Sequence, residues 1–117
     1  MEYIDSKLLN ETSKRARESE RLRMNYNFHE CLDAPAQRLL NALEPGTVLP
    51  IHRHQHTSET YILLRGKIRV LFYNDNKEVI EEKVLNPMEG VYGVNILKNT
   101  WHTLEVLEKE SVLFEVK

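Results

Sequence analysis

The spacing of apolar positions changes once along the chain, near Met24, from a helical period to the period of two expected of strands. Upstream, Ile4, Leu8, Leu9, Thr12 and Ala16 lie close to one helical stripe. Asp5 or Ser6 is placed to cap the first turn, and the helix is expected to end by about Glu20. In Asn25-Tyr26-Asn27-Phe28-His29 aromatic and polar residues alternate, as in a strand buried on one face. Gln37 to Leu43 predicts a second strand, with Leu39, Asn41 and Leu43 on one face and Arg38, Leu40 and Ala42 on the other. Glu44-Pro45-Gly46 reads as a turn. Further strands are predicted at Thr60–Leu64, Lys67–Tyr73, Val79–Val84, Val94–Ile96, Trp101–Val106 and Val112–Val116. Gly, Pro and Asn separate several of them, most clearly at Arg65-Gly66, Asn74-Asp75-Asn76 and Asn86-Pro87.

Many short strands joined by tight turns after one helix indicate a mainly β sandwich or barrel of the jelly-roll kind. Residues 1–23 are assigned to a helical segment packed on the outside and residues 24–117 to the barrel. A length of 117 residues suits one such core and no second domain.

Charge narrows the partners. The net charge of −2 produces no global field for nucleic acid or anionic lipid. The one basic cluster, Lys14, Arg15, Arg17, Arg21 and Arg23, is interrupted by Glu18 and Glu20, and it reads as a solvated helix face before a phosphate-binding patch. Cys31 is the only cysteine, so no disulfide forms within the chain. No signal-peptide pattern opens the sequence and no apolar run approaches the roughly 18 residues of a membrane span. A soluble cytoplasmic protein is expected.

The chemistry concentrates in His52, His54 and His56, with Glu59 three residues on. Residues i and i+2 of a strand face the same way, so His52 and His54 present both imidazoles to one point, and Glu59 re-enters a strand facing the same interior. Imidazole nitrogens with one carboxylate oxygen suit one divalent transition-metal ion: Fe, Mn, Ni, Co or Zn. His56 lies in the connection before Glu59 and is expected at the pocket mouth or surface. Arg53, between two inward histidines, is expected to point away.

Gly46, five residues, His52, one residue, His54, four residues, Glu59, six residues, Gly66 resembles the first motif of the cupin superfamily throughout. The resemblance implies a cupin (jelly-roll) β-barrel with a short N-terminal helix, and a fourth metal ligand, a histidine, from a second motif. His102, in Lys98-Asn99-Thr100-Trp101-His102, fills that role. The rest of the second motif departs from the family: Leu97 replaces its proline, Asn99 its turn glycine and Val106 its final asparagine. Asn tolerates the left-handed backbone that glycine supplies, so the turn can survive. Upstream, Asn27-Phe28-His29 and the run Gln37 to Thr47, followed by His52-Arg53-His54, resemble the WbuC-type small cupins. Those accompany gene clusters for bacterial surface-polysaccharide (O-antigen) synthesis, and a helical segment precedes their barrel.

Around the metal, strand parity turns Asn41 and Tyr61 inward, and His29 shares a face with Asn25 and Asn27, which makes Asn41, Tyr61 and His29 candidates for a ligand pocket. For Trp101, ordinary core packing is favoured. The resemblance implies a metal-dependent protein acting on a sugar or nucleotide-sugar, with isomerase or epimerase chemistry first among the readings. An Fe-dependent dioxygenase and a non-catalytic metal-assisted sugar-binding module are the alternatives. A small-molecule ligand, carbohydrate by resemblance, is the expected partner. Outward Ile62 and Leu64 suit a homodimer.

Overall fold

Asp5 begins the helix. Its carboxylate accepts a hydrogen bond from the Leu8 amide at 3.0 Å, satisfying one of the free amides of the first turn of helix α1 (Ser6–Glu18). Arg15 and Arg17 stand in the last turn, where cations favour the helix dipole. Thr12, Ser13 and Ala16 are buried on its inner side, while Ile4, the first member of the predicted stripe, remains exposed. The computed structural model describes all 117 residues.

Eight strands follow: β1 (Arg23–Asn27), β2 (Arg38–Leu43), β3 (Glu59–Arg65), β4 (Ile68–Tyr73), β5 (Val79–Leu85), β6 (Gly93–Ile96), β7 (Trp101–Val106) and β8 (Ser111–Val116). They form two antiparallel sheets, one of five strands in the order β1-β2-β8-β3-β6 and one of three in the order β5-β4-β7. The architecture is the mainly β jelly roll with one helix that the alternation predicts.

Strand β2 is buried on both faces, and its two faces serve different cores. Leu40 and Ala42 join Val112 and the helical Ala16 in a small cluster beneath α1, with Tyr26, Phe28 and Phe114 packed around it. Leu43 turns the other way, into the main core with Leu63, Ile68, Val70, Leu85 and Leu113. The helix therefore covers the outer face of β1, β2 and β8 and leaves the barrel interior to the strands.

One backbone feature closes each end of the barrel. Gly66 (φ +94°) ends β3, and a Cβ there would sit 2.1 Å from the Ser111 hydroxyl oxygen, so glycine is required by conformation and by space. The segment carrying His52 and His54 was expected to be strand; instead only His52 pairs, as an isolated antiparallel bridge with His102. The bridge exchanges two backbone hydrogen bonds, of 3.0 and 2.8 Å. Pro50, which cannot donate, keeps this approach out of the ladder.

Trp101 lies outside both cores, contrary to the favoured expectation. Two cations lie over its ring, with the Arg53 guanidinium 4.4 Å and the Lys77 ammonium 3.8 Å from the ring centre. As the first residue of β7 it points opposite to the inward His102, which puts it on the outer side. Arg53 is on that same outer side, where parity placed it. No helix is long and apolar enough to cross a membrane.

Candidate metal centre

Four side chains converge at one end of the barrel interior. Each of His52, His54, Glu59 and His102 offers one donor atom, and these atoms lie within 4.8 Å of one another. Glu59 opens β3 and His102 is the second residue of β7, both almost completely buried. The backbone bridge sets His52 directly beside His102, with ring centres 4.3 Å apart. The turn before β7 holds the remaining histidine: Asn99 adopts φ +67° and its amide donates to the His54 carbonyl at 2.8 Å. Asparagine thus performs the left-handed turn at the position where the family motif has glycine.

The hydrogen bonds fix the tautomers. His52 Nδ1 lies 3.0 Å from the Pro50 carbonyl oxygen and His102 Nδ1 lies 2.8 Å from that of Thr100. A carbonyl only accepts, so both Nδ1 atoms carry the proton and both Nε2 atoms are left to face the interior. His102 and His54 meet a carboxylate there. His102 Nε2 is 3.1 Å and His54 Nε2 is 3.5 Å from the same oxygen of Glu59. Burial pushes the Glu59 carboxyl up, but the facing His102, the Lys117 ammonium and His54 outweigh it and hold the group well below the usual carboxylate range. Burial also lowers the pKa of His52 and of His54, which favours their neutral, metal-binding form.

Acceptors outnumber donors at this point, where the Lys117 ammonium lies 3.5 Å from Glu59 Oε2. His54 Nε2 and Glu59 Oε2 are buried with no hydrogen-bond partner. Bare imidazole nitrogens around an ionised carboxylate repel one another unless a cation stands between them. Three imidazoles and one carboxylate are the donor set that a divalent transition metal takes, so the residues present fit such an ion.

A second polar layer adjoins this cluster. Tyr61 follows Glu59 at the inward interval on β3, is buried, and stands opposite Glu115 of β8. Asn41 donates its side-chain N–H to Glu115 at 2.9 Å. Burial and, after it, the Glu59 carboxylate raise the Glu115 carboxyl to about 7, against the pull of Asn41 and Lys117. Burial, and after it the charges of Glu115 and Glu59, push the Tyr61 hydroxyl up, so it stays protonated. Asn41, Tyr61 and His52 all line one cavity of about 210 Å³. His29 is not among its lining residues; its Nδ1 lies 3.2 Å from both the amide nitrogen and the carbonyl oxygen of Arg38. His56 is exposed in the connection.

Sequence reasoning passed over Glu115 and Lys117. Their signal was available, because Leu113, Glu115 and Lys117 alternate with Val112, Phe114 and Val116, which places a carboxylate and an ammonium on the inward face. Lys117 Nζ ends 3.5 Å from Glu59 Oε2.

A family model described as "Domain of unknown function (DUF6016)" matches residues 4–85. The chain belongs to this family. The matched part of the DUF6016 chain contains His52, His54 and Glu59, and His102 lies beyond it. No curated protein matches in sequence. Among solved structures, CapF from Staphylococcus aureus, a capsular polysaccharide assembling protein, superposes with a TM-score of 0.66 at 21% identity over 84% of this chain. KdgF from Halomonas sp. gives 0.63 at 16% identity over 80% of this chain and 77% of its own. The cupin domain of Schizosaccharomyces pombe Cnp3 gives 0.63 at 12% identity over 80% of this chain and 62% of that one. This DUF6016 chain spans only 28% of CapF. Likeness at these identities establishes the fold, and the fold is that of the cupins.

Proposed function

We propose that this chain binds one divalent transition-metal ion through His52, His54, Glu59 and His102 and acts on a sugar or nucleotide-sugar in the synthesis of a bacterial surface polysaccharide. The observation that carries the metal is the meeting of bare Nε2 atoms and an ionised, partly unpartnered carboxylate in a buried space. The sugar reading is supported by the resemblance to WbuC-type cupins and by the likeness of fold to CapF, whose own role is capsular polysaccharide assembly.

When bound, such an ion polarises a carbonyl or hydroxyl as a Lewis acid, which suits isomerisation or epimerisation. The chain's own residues frame that chemistry. Pro50 and Thr100 carbonyls orient the two imidazoles, and Asn41 and Tyr61 present polar groups to a ligand beside them. Burial keeps both the Tyr61 hydroxyl and the Glu115 carboxyl inclined to hold a proton in the cavity wall.

Elemental analysis of protein purified without chelator, with mass spectrometry of co-purified small molecules, tests the reading. About one equivalent of a transition metal is expected, and His52→Ala, His54→Ala and His102→Ala are each expected to lose most of it. Glu59→Gln is expected to lose less, because three imidazoles remain. Full occupancy in all three histidine variants would remove the assignment.

A further inference from the structure

The basic cluster that runs from α1 to the start of β1 divides in the folded protein. Arg17 stays on the helix and reaches Glu110 at 3.4 Å on the surface. Arg21 and Arg23 leave it and line the cavity that also holds Asn41, Tyr61 and His52. The register explains Arg23: it pairs with Leu43 as Asn25 pairs with Asn41, so Arg23 and Asn25 share the inner face of the edge strand.

These two guanidiniums lack a counter-ion. Neither has a carboxylate within salt-bridge distance, and the hydrogen bond from the Arg23 side chain goes to the neutral Val48 carbonyl at 2.8 Å. Deeper in the same cavity, Asn41 is 6% exposed and spends its N–H on Glu115, so its Oδ1 is buried without a partner. One end of the cavity therefore calls for an oxyanion and the other for a hydroxyl donor. At about 210 Å³ the space is smaller than the ~300–1,000 Å³ typical of pockets for drug-sized ligands, so it suits a single sugar ring and excludes a nucleotide.

We propose that this cavity is a subsite for a small anionic, hydroxylated ligand, a monosaccharide bearing one carboxylate or phosphate, with Arg21 and Arg23 on the oxyanion and Asn41 Oδ1 accepting from a ring hydroxyl. The proposal deepens the sugar reading and rests on the metal centre only for what the ligand's far end meets at His52. A nucleotide-sugar would have to leave its nucleotide outside.

The test is isothermal titration of metal-loaded and chelator-treated protein with D-glucuronate, glucose 6-phosphate and glucose. Both charged sugars or one of them is expected to bind at least about tenfold more tightly than glucose, with affinity falling as salt is raised. The better of the two identifies the oxyanion as carboxylate or phosphate. Arg21→Gln with Arg23→Gln is expected to remove that preference, Arg23→Lys to retain part of it, and Arg17→Gln to leave it intact. Asn41→Ala is expected to weaken charged and neutral sugars by a similar factor. No binding of any probe, equal affinity for glucose and the charged sugars, or an unchanged preference in the double variant would overturn the proposal; the salt dependence in unaltered protein decides it even if that variant does not fold. Charge preference in protein that holds no metal would sink the metal reading and keep this one, whereas one equivalent of metal without charge preference does the reverse.

Discussion

The two ends of the barrel interior are built from the same strands and obey opposite rules. On β3 the inward residues run Glu59, Tyr61, Leu63; on β8 and the residue after it they run Lys117, Glu115, Leu113; on β2, Asn41 gives way to Leu43. At the Leu end the inward side chains Leu43, Leu63 and Leu113 are apolar and almost completely buried, and their contribution follows the area removed from water. At the other end a carboxylate, a second carboxyl, an amide and three imidazoles are brought together at a cost in desolvation that Asn41 and Lys117 offset in part and a bound ligand or ion offsets further. The gradient teaches that one half of this interior holds the fold and the other is held by it.

That contrast predicts separable defects. The largest concerns stability alone. Leu113→Ala, at a fully buried position, is expected to cost about 2–5 kcal/mol in urea unfolding while metal stoichiometry in the surviving folded protein is unchanged. If metal and stability fell together at low denaturant, the two ends would be one cooperative unit rather than scaffold and site.

Next comes a gain. The Glu115 carboxyl is raised from 4.5 to about 7 in the folded state, so the folded protein binds the proton more tightly than the unfolded chain. Stability is then full below the unfolded value and declines as pH rises through the folded one. In chelator-treated protein, Glu115→Gln is expected to match the unaltered chain near pH 4 and to exceed it by on the order of 3 kcal/mol near pH 8. A parallel pair of stability–pH curves would contradict the burial argument.

The histidines have the opposite sign. Burial lowers His52 and His54, so their neutral forms, and the stability that depends on them, are present above the ordinary histidine value and are lost as pH falls through the lowered ones. Metal titrations across pH are expected to show tight binding persisting to below about pH 6.5 and then a steep release. Release beginning above that value would mean that other groups hold the ion. The smallest effect is expected outside the barrel. Arg53→Ala removes one cation from Trp101 at about 0.5–1 kcal/mol and leaves metal content unaltered by elemental analysis.

What the sequence alone determined is whatever follows from period and spacing. Alternation placed the eight strands to within a residue or two but not the His52–His54 segment, the turn at Asn99 followed from the tolerance of asparagine for left-handed backbone, and parity turned Asn41 and Tyr61 inward and Arg53 outward. These are local properties, written within a few residues of where they act. Trp101 and His29 show the limit. Whether an aromatic faces a core or two cations, and whether an imidazole reaches a cavity or a neighbouring backbone, depends on what the other sheet or strand brings. The same holds for Arg21 and Arg23, which the linear pattern joins to a solvated helix face. Only the pairing of β1 with β2 turns Arg23 to the cavity that Arg21 also lines, and only the register of β8 against β3 sets Glu115 opposite Tyr61, where burial raises its carboxyl. Burial and charge proximity are sums over residues far apart in the chain, so tertiary structure alone decided them.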